Sequence, residues 1–124
     1  MIRFLYALVF TVILASQAFA KRLEPVEVKP VHFKGIIYSV PPFILDEKSP
    51  QNGGFLEARD GKDKLIWRVQ IYKTAYNPLL EQDVQDVFIN SLSLDKAHGI
   101  LMISDEKDRI FTVDIFTKKV TRLR

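Results

Sequence analysis

Between residues 64 and 73 the chain alternates apolar and polar side chains. Leu65, Trp67, Val69 and Ile71 hold one parity, and Lys64, Arg68, Gln70 and Tyr72 mostly hold the other. Successive side chains of an extended strand point to opposite faces, so this pattern predicts a strand over 64–73. Its odd positions should face a core with Trp67 as anchor, and Ile66 is the one apolar residue out of phase. A strand with one apolar face has to bury that face against another layer, which makes the rest of the chain the next question.

The rest repeats the theme in short pieces. Residues 54–59 run into Asp60-Gly61, a dipeptide that tolerates positive φ and predicts a tight hairpin into the 64–73 strand. Residues 98–104 and 109–116 flank the charged turn 105–108, with Phe111, Val113 and Ile115 on one parity. A turn at Thr117-Lys118 leads to a last short strand over 119–123. Residues 33–40 read as one strand stopped by Pro41-Pro42, and 87–94 as another bounded by Asp95. The segment 42–53 is the longest irregular stretch. Only residues near 78–86 look helical: Asn77 precedes Pro78 at a first helical position, and Leu80, Val84 and Val87 follow at i, i+4 and i+7. The expected fold is all-β, mainly an antiparallel meander, closed as a small barrel or folded into two layers, with one short helix.

Residues 1–20, MIRFLYALVFTVILASQAFA, place Arg3 before an apolar run over 4–14 and close on Ala18-Phe19-Ala20. That is the layout of a secretory signal peptide cleaved after Ala20. The run is short against the roughly 20 apolar residues that a membrane span needs, so the mature form is not expected to span a membrane. The expected organisation is therefore a signal peptide over 1–20, an extended leader over 21–30 containing Pro25 and Pro30, and a single β domain over 31–124. The expected location is periplasmic or secreted. Cysteine is absent, which removes disulfides, thiolate nucleophiles and thiolate metal sites from consideration. The formal charge is +3 and falls by one unit without Arg3, too little basic excess for a nucleic-acid partner.

Residues with chemical potential are scattered. His32 and His98 are the only histidines, and neither has a second ligand at metal-binding spacing, so no metal is expected. Glu57, Asp60 and Asp63 surround one turn and Asp105, Glu106 and Asp108 another, each interrupted by a lysine, as solvated hairpin tips would be. Glu81, Asp83 and Asp86 lie on or beside the expected helix, where Asp83 and Asp86 would share a face, the arrangement a carboxylate-dependent hydrolase would require. Ser91 and Ser93 lack the glycine-flanked elbow of a serine nucleophile. No catalytic residue and no cofactor is assigned. Lys118, Lys119, Arg122 and Arg124 make the C-terminal end basic, as a solvated edge strand would be. Arg68 and Gln70, on the outer parity of the 64–73 strand, together with Tyr72 and Tyr76 where it leaves, form the candidate binding face, since amphipathic side chains of this kind are enriched at interfaces.

Residues 54–67, GFLEARDGKDKLIW, resemble the hairpin of pyrroloquinoline-quinone-type β-propeller repeats, in which a strand ending in Ala-x-Asp turns through Gly-Lys and returns to a Trp. Residues 109–120 are similar, with the Gly and Trp missing. The resemblance implies two blade-like units about fifty residues apart, whereas a closed ring takes at least about four blades. Either several chains assemble or the hairpins serve a different small β fold, and the second is the reading preferred. The quinone of that family sits across a closed ring, so the resemblance carries no cofactor and no catalytic residue onto this chain. The functional expectation is an exported binding or accessory module of the cell envelope, with an envelope protein or polymer as partner. The alternatives are a carboxylate-dependent hydrolase and a structural subunit that forms homo-oligomers through strand edges.

Overall fold

The structure is a computed structural model and describes residues 23–44 and 50–124. Eight strands form two four-stranded antiparallel meanders. The first sheet runs β1 (Val31–Phe33), β2 (Ile36–Ser39), β3 (Phe55–Arg59), β4 (Leu65–Gln70), and the second runs β5 (Ile89–Asp95), β6 (Ile100–Asp105), β7 (Ile110–Asp114), β8 (Val120–Arg122). The all-β, antiparallel, two-layer expectation is met. The eight strands belong to two separate sheets, so they do not close into a barrel.

Aspartates shape the turns. Asp60 and Asp105 each begin a five-residue turn of one design, Asp-Gly-Lys-Asp-Lys and Asp-Glu-Lys-Asp-Arg. In both, the leading carboxylate accepts backbone N–H groups two and four residues on: Lys62 and Lys64 at 2.9 and 3.0 Å, and Lys107 and Arg109 both at 3.0 Å. Asp63 and Asp108, each three residues after the leading Asp, adopt left-handed backbone with φ of 63° and 58°. Short polar side chains tolerate that region better than most. The tight hairpin expected at Asp60-Gly61 is thus a wider loop in which Asp63, not Gly61, supplies the positive φ. At the opposite end of the second sheet, Asp95 and Asp114 accept Ala97 N–H at 3.1 Å and Phe116 N–H at 2.8 Å.

Two further expectations change. Residues 33–40 are not one strand, because Lys34 and Gly35 take φ of 51° and 78° and close a two-residue turn that pairs Phe33 with Ile36. Positive φ at both central residues is the geometry that matches the twist of a tight hairpin. The helix expected near 78–86 reduces to a single 3-10 turn, Asp83–Gln85. The Gln85 side chain explains the loss: its Nε2 donates to the carbonyls of Asn77, Leu80 and Glu81, and its Oε1 accepts Asn77 N–H at 2.6 Å. A helix would satisfy these carbonyls with backbone N–H groups.

The two sheets share one core. Tyr38, Leu56 and Ala58 from the first meet Leu101, Ile103, Phe111 and Val113 from the second, with Trp67, Val69 and Leu92 packed at its margin. The parity of β4 holds from Trp67 onward, but Leu65 at its start is exposed. Register slips by one residue between Ala58 and Arg59, where Leu65 and Trp67 pair with consecutive residues and Ile66 is left over as a bulge. The out-of-phase Ile66 therefore has a structural reason. Residues 23–30 carry no regular structure, although Val28 packs against the core. The proposed signal peptide, 1–20, lies outside the described residues. Among the described residues no helix is long and apolar enough to cross a membrane.

Candidate functional site

After β4 the chain crosses from the first sheet to the second through residues 71–88, and this crossing is held down from several sides. Gln51, almost fully buried, donates from Nε2 to the carbonyls of Gly53 and Tyr72 at 3.0 and 2.9 Å and accepts Thr74 N–H at 2.7 Å. Gly54 allows this fit: its φ is 80°, and a Cβ there would stand 2.5 Å from Gln51 Nε2 and 2.9 Å from Tyr72 Cε2. Tyr72 donates its hydroxyl to the Val87 carbonyl at 2.6 Å. Tyr76 donates to Asp86 Oδ1 at 2.6 Å, while Asn52 Nδ2 donates to Asp86 Oδ2 at 3.1 Å.

Tyr72 also forms the bed of a cation. Its ring stacks on Phe111 with centroids 5.6 Å apart, and the Arg109 guanidinium lies 4.6 Å from the Tyr72 centroid. Arg109 Nε donates to Asp105 Oδ2 at 2.7 Å, and Asp105 is wholly buried. The guanidinium is therefore fixed by a charge-assisted hydrogen bond on one edge and an aromatic face beneath it. Burial first, then the nearby Asp105 charge, raise the Tyr72 phenol well above its ordinary value, so it stays a neutral donor. Burial and the hydrogen bond to Asp86 push Tyr76 the same way.

Between the crossing and the turn that carries Arg109 lies an open cleft of about 610 Å³. Lys73, Thr74, Asp86, Glu106, Lys107 and Arg109 line it, with Gln85 as a further polar residue. The Nη atoms of Arg109 make no hydrogen bond to the described residues, and Lys73 and Lys107 form no ion pair with them. The buried Thr74 Oγ1 also lacks a partner among the described residues. The arrangement offers one fixed guanidinium with two ammonium groups and a hydroxyl beside it, which suits it to holding a ligand.

The four residues of the candidate binding face do not form one surface. Arg68 is drawn to Glu57, whose Oε2 accepts its Nε and Nη2 at 2.8 and 2.6 Å, and Arg59 Nη2 approaches the same carboxylate at 3.3 Å. Gln70 is half-buried at the end of β4. Tyr72, assigned from its parity to an outer face, is in the core, because strand pairing ends at Gln70 and the chain turns inward to meet Val87. Tyr76 supports Asp86 from behind the cleft. The two tyrosines thus stand behind the cleft, against its lining residues Arg109 and Asp86, while Arg68 stays on the first sheet.

The other candidates have structural partners. Asp83 is exposed and accepts Val84 N–H, whereas Asp86 is buried on Tyr76 and Asn52, so the pair does not share a helix face. His98 Nδ1 lies 2.8 Å from Asp95 in a turn, and His32 is exposed on β1. Ser91 and Ser104 bond to each other across β5 and β6. Among the described residues no three His, Asp or Glu side chains gather closely enough to hold a metal ion. At the C-terminal end Lys118 Nζ stands 5.8 Å from the Trp67 ring centroid, and Arg124 Nε donates to the Asp108 carbonyl. Lys73, Thr74, Lys107 and Arg109 went unread in the sequence. The only local sign was the four-residue spacing from Asp105 to Arg109 within a turn. No family model matches the chain, and no curated protein and no solved structure shows significant similarity to it.

Proposed function

We propose that this chain is an exported binding module of the cell envelope and that it recognises its partner through the cleft between the crossing segment and the β6–β7 turn. The observation that supports this reading is the Arg109 guanidinium, held by Asp105 and Tyr72 with its outer nitrogens unengaged by the described residues. A protein surface that fixes a cation in this way has already given up the rotamer freedom that binding would otherwise cost. The N-terminal pattern supports export, and the hairpin resemblance to propeller repeats fits a domain made of two four-stranded meanders. The hydrolase alternative gains nothing from Asp83 and Asp86, which are separated by burial and partners.

Site-specific photo-cross-linking in the producing cell tests the proposal. A photoreactive residue at Ala75, exposed in the cleft lining, should trap a discrete envelope component, while the same probe at Ser93, on the far face of the second sheet, should not. Equal adducts at both positions, or none from the cleft, would refute it.

A further inference from the structure

We propose that the cleft takes a single oxyanion, a carboxylate or a phosphate group, on Arg109, Lys107, Lys73 and the Thr74 hydroxyl. This deepens the binding reading above and rests on it. A guanidinium presents its donors as a planar fork that matches two oxygens of one group, and here Nε is fixed on Asp105 so that the Nη edge remains for a ligand. Tyr72 beneath and Phe111 beside it set the plane of that fork. Lys73 and Lys107 bring two more cations to the lining without ion pairs of their own among the described residues.

Thr74 supplies an independent sign. Its backbone N–H is satisfied by Gln51 Oε1, yet its buried hydroxyl has no partner among the described residues. Native structures rarely leave such a group unmade, because the desolvation is not recovered. A rotation about χ1 toward the cleft would give the hydroxyl an acceptor once an oxyanion is bound. The charge of the site limits what the ligand can be. Against the three cations stand Asp86 and Glu106 in the lining and Asp105 behind Arg109, so the surroundings are balanced. A single oxyanion can use the local donors, whereas a polyanion meets no net field to draw it in.

NMR titration of the full chain, with acetate in one arm, inorganic phosphate in another and chloride at matched ionic strength as control, separates the outcomes. Saturable shifts at the Thr74 and Lys107 amides and at Arg109 Nε–H are expected from acetate or phosphate and not from chloride. The tighter arm identifies the chemical source. Arg109→Lys keeps a cation near Asp105 but loses the fork, and should weaken the probe by about tenfold. Thr74→Val should keep or raise the melting temperature while weakening the same probe several-fold, which a purely structural role would not produce. No saturable shift in either arm, or wild-type affinity in both variants, overturns the oxyanion. If the Ala75 cross-link persists in that case, the binding module survives and only its ligand class is wrong; if both fail, both readings fall.

Discussion

Asp105 carries the turn on which Arg109 is mounted, and its truncation has a calculable consequence. The side chain is wholly buried and accepts three N–H groups: Lys107 and Arg109 of the backbone at 3.0 Å, and Arg109 Nε at 2.7 Å. Asp105→Ala removes all three hydrogen bonds and leaves the Arg109 side chain, only 20% exposed, without its counter-charge. Removing one partner of a buried pair costs about 3 to 5 kcal/mol. Arg109 keeps some solvent contact and the Tyr72 face, so the lower end applies, about 3 kcal/mol. For a domain of this size each kcal/mol moves the melting temperature by roughly 4–8 °C, which gives a fall of roughly 12–24 °C. Urea denaturation followed by circular dichroism reads the free energy directly. Asp105→Asn retains an acceptor for the turn amides and should cost about half as much. Adding Arg109→Met to Asp105→Ala should restore at least about 1 kcal/mol, because the stranded charge is gone. A loss within about 0.5 kcal/mol of wild type for Asp105→Ala, or no recovery in the double variant, would refute the reasoning.

Other parts of the fold make their own predictions. Leu101→Ala, at a position with no exposed surface on the central strand β6, should lose about 3 kcal/mol by the same denaturation assay. Gly54→Ala places a Cβ at φ 80° and 2.5 Å from Gln51 Nε2, so it should cost about 2 kcal/mol and accelerate amide exchange at Ile71, whose N–H bonds to the Gly54 carbonyl. Tyr72→Phe loses the hydrogen bond to Val87 and should destabilise by about 1 kcal/mol, while in the wild type Tyr72 should resist alkaline titration in the ultraviolet. Hydrogen bonds from Thr117 N–H and then Phe116 N–H hold the Asp114 carboxyl below its ordinary value, and the His98 side chain does the same for Asp95. A depressed folded value means that each contributes stability above the unfolded carboxylate range and loses it as pH falls through the folded value. Asp114→Asn should therefore flatten the stability profile below about pH 4.

The strands are legible where one face alone is buried, as in β7 and in β4 from Trp67 to Val69, because parity then maps directly onto exposure. They were misread where both faces carry apolar side chains. Over 33–40 the run Phe33, Ile36, Ile37 and Tyr38 hid the Lys34-Gly35 turn, even though glycine stands where the positive φ is needed. Near 78–86 the cap and the proline were correctly placed helical signals, but the side chain of Gln85, eight residues beyond the cap, satisfied the carbonyls instead. The cleft was illegible for a different reason. Asp105 and Arg109 look like a charged hairpin tip, and what turns them inward is the Tyr72 ring, which is far away in sequence and reaches them only because the crossing segment is pinned by Gln51. A local pattern cannot register a contact of that range.

Three single variants, each scored by the yield of the Ala75 cross-linked complex in the envelope, decide whether the cleft is the working surface. Lys107→Ser alters the cleft, Ile66→Lys alters the exposed β4 edge through which chains would pair, and Asp83→Asn alters the carboxylate of the hydrolase reading. The cleft account predicts that only Lys107→Ser lowers the yield, with all three folding as stably as wild type. Loss of the complex in Ile66→Lys or Asp83→Asn, with Lys107→Ser unaffected, would contradict it.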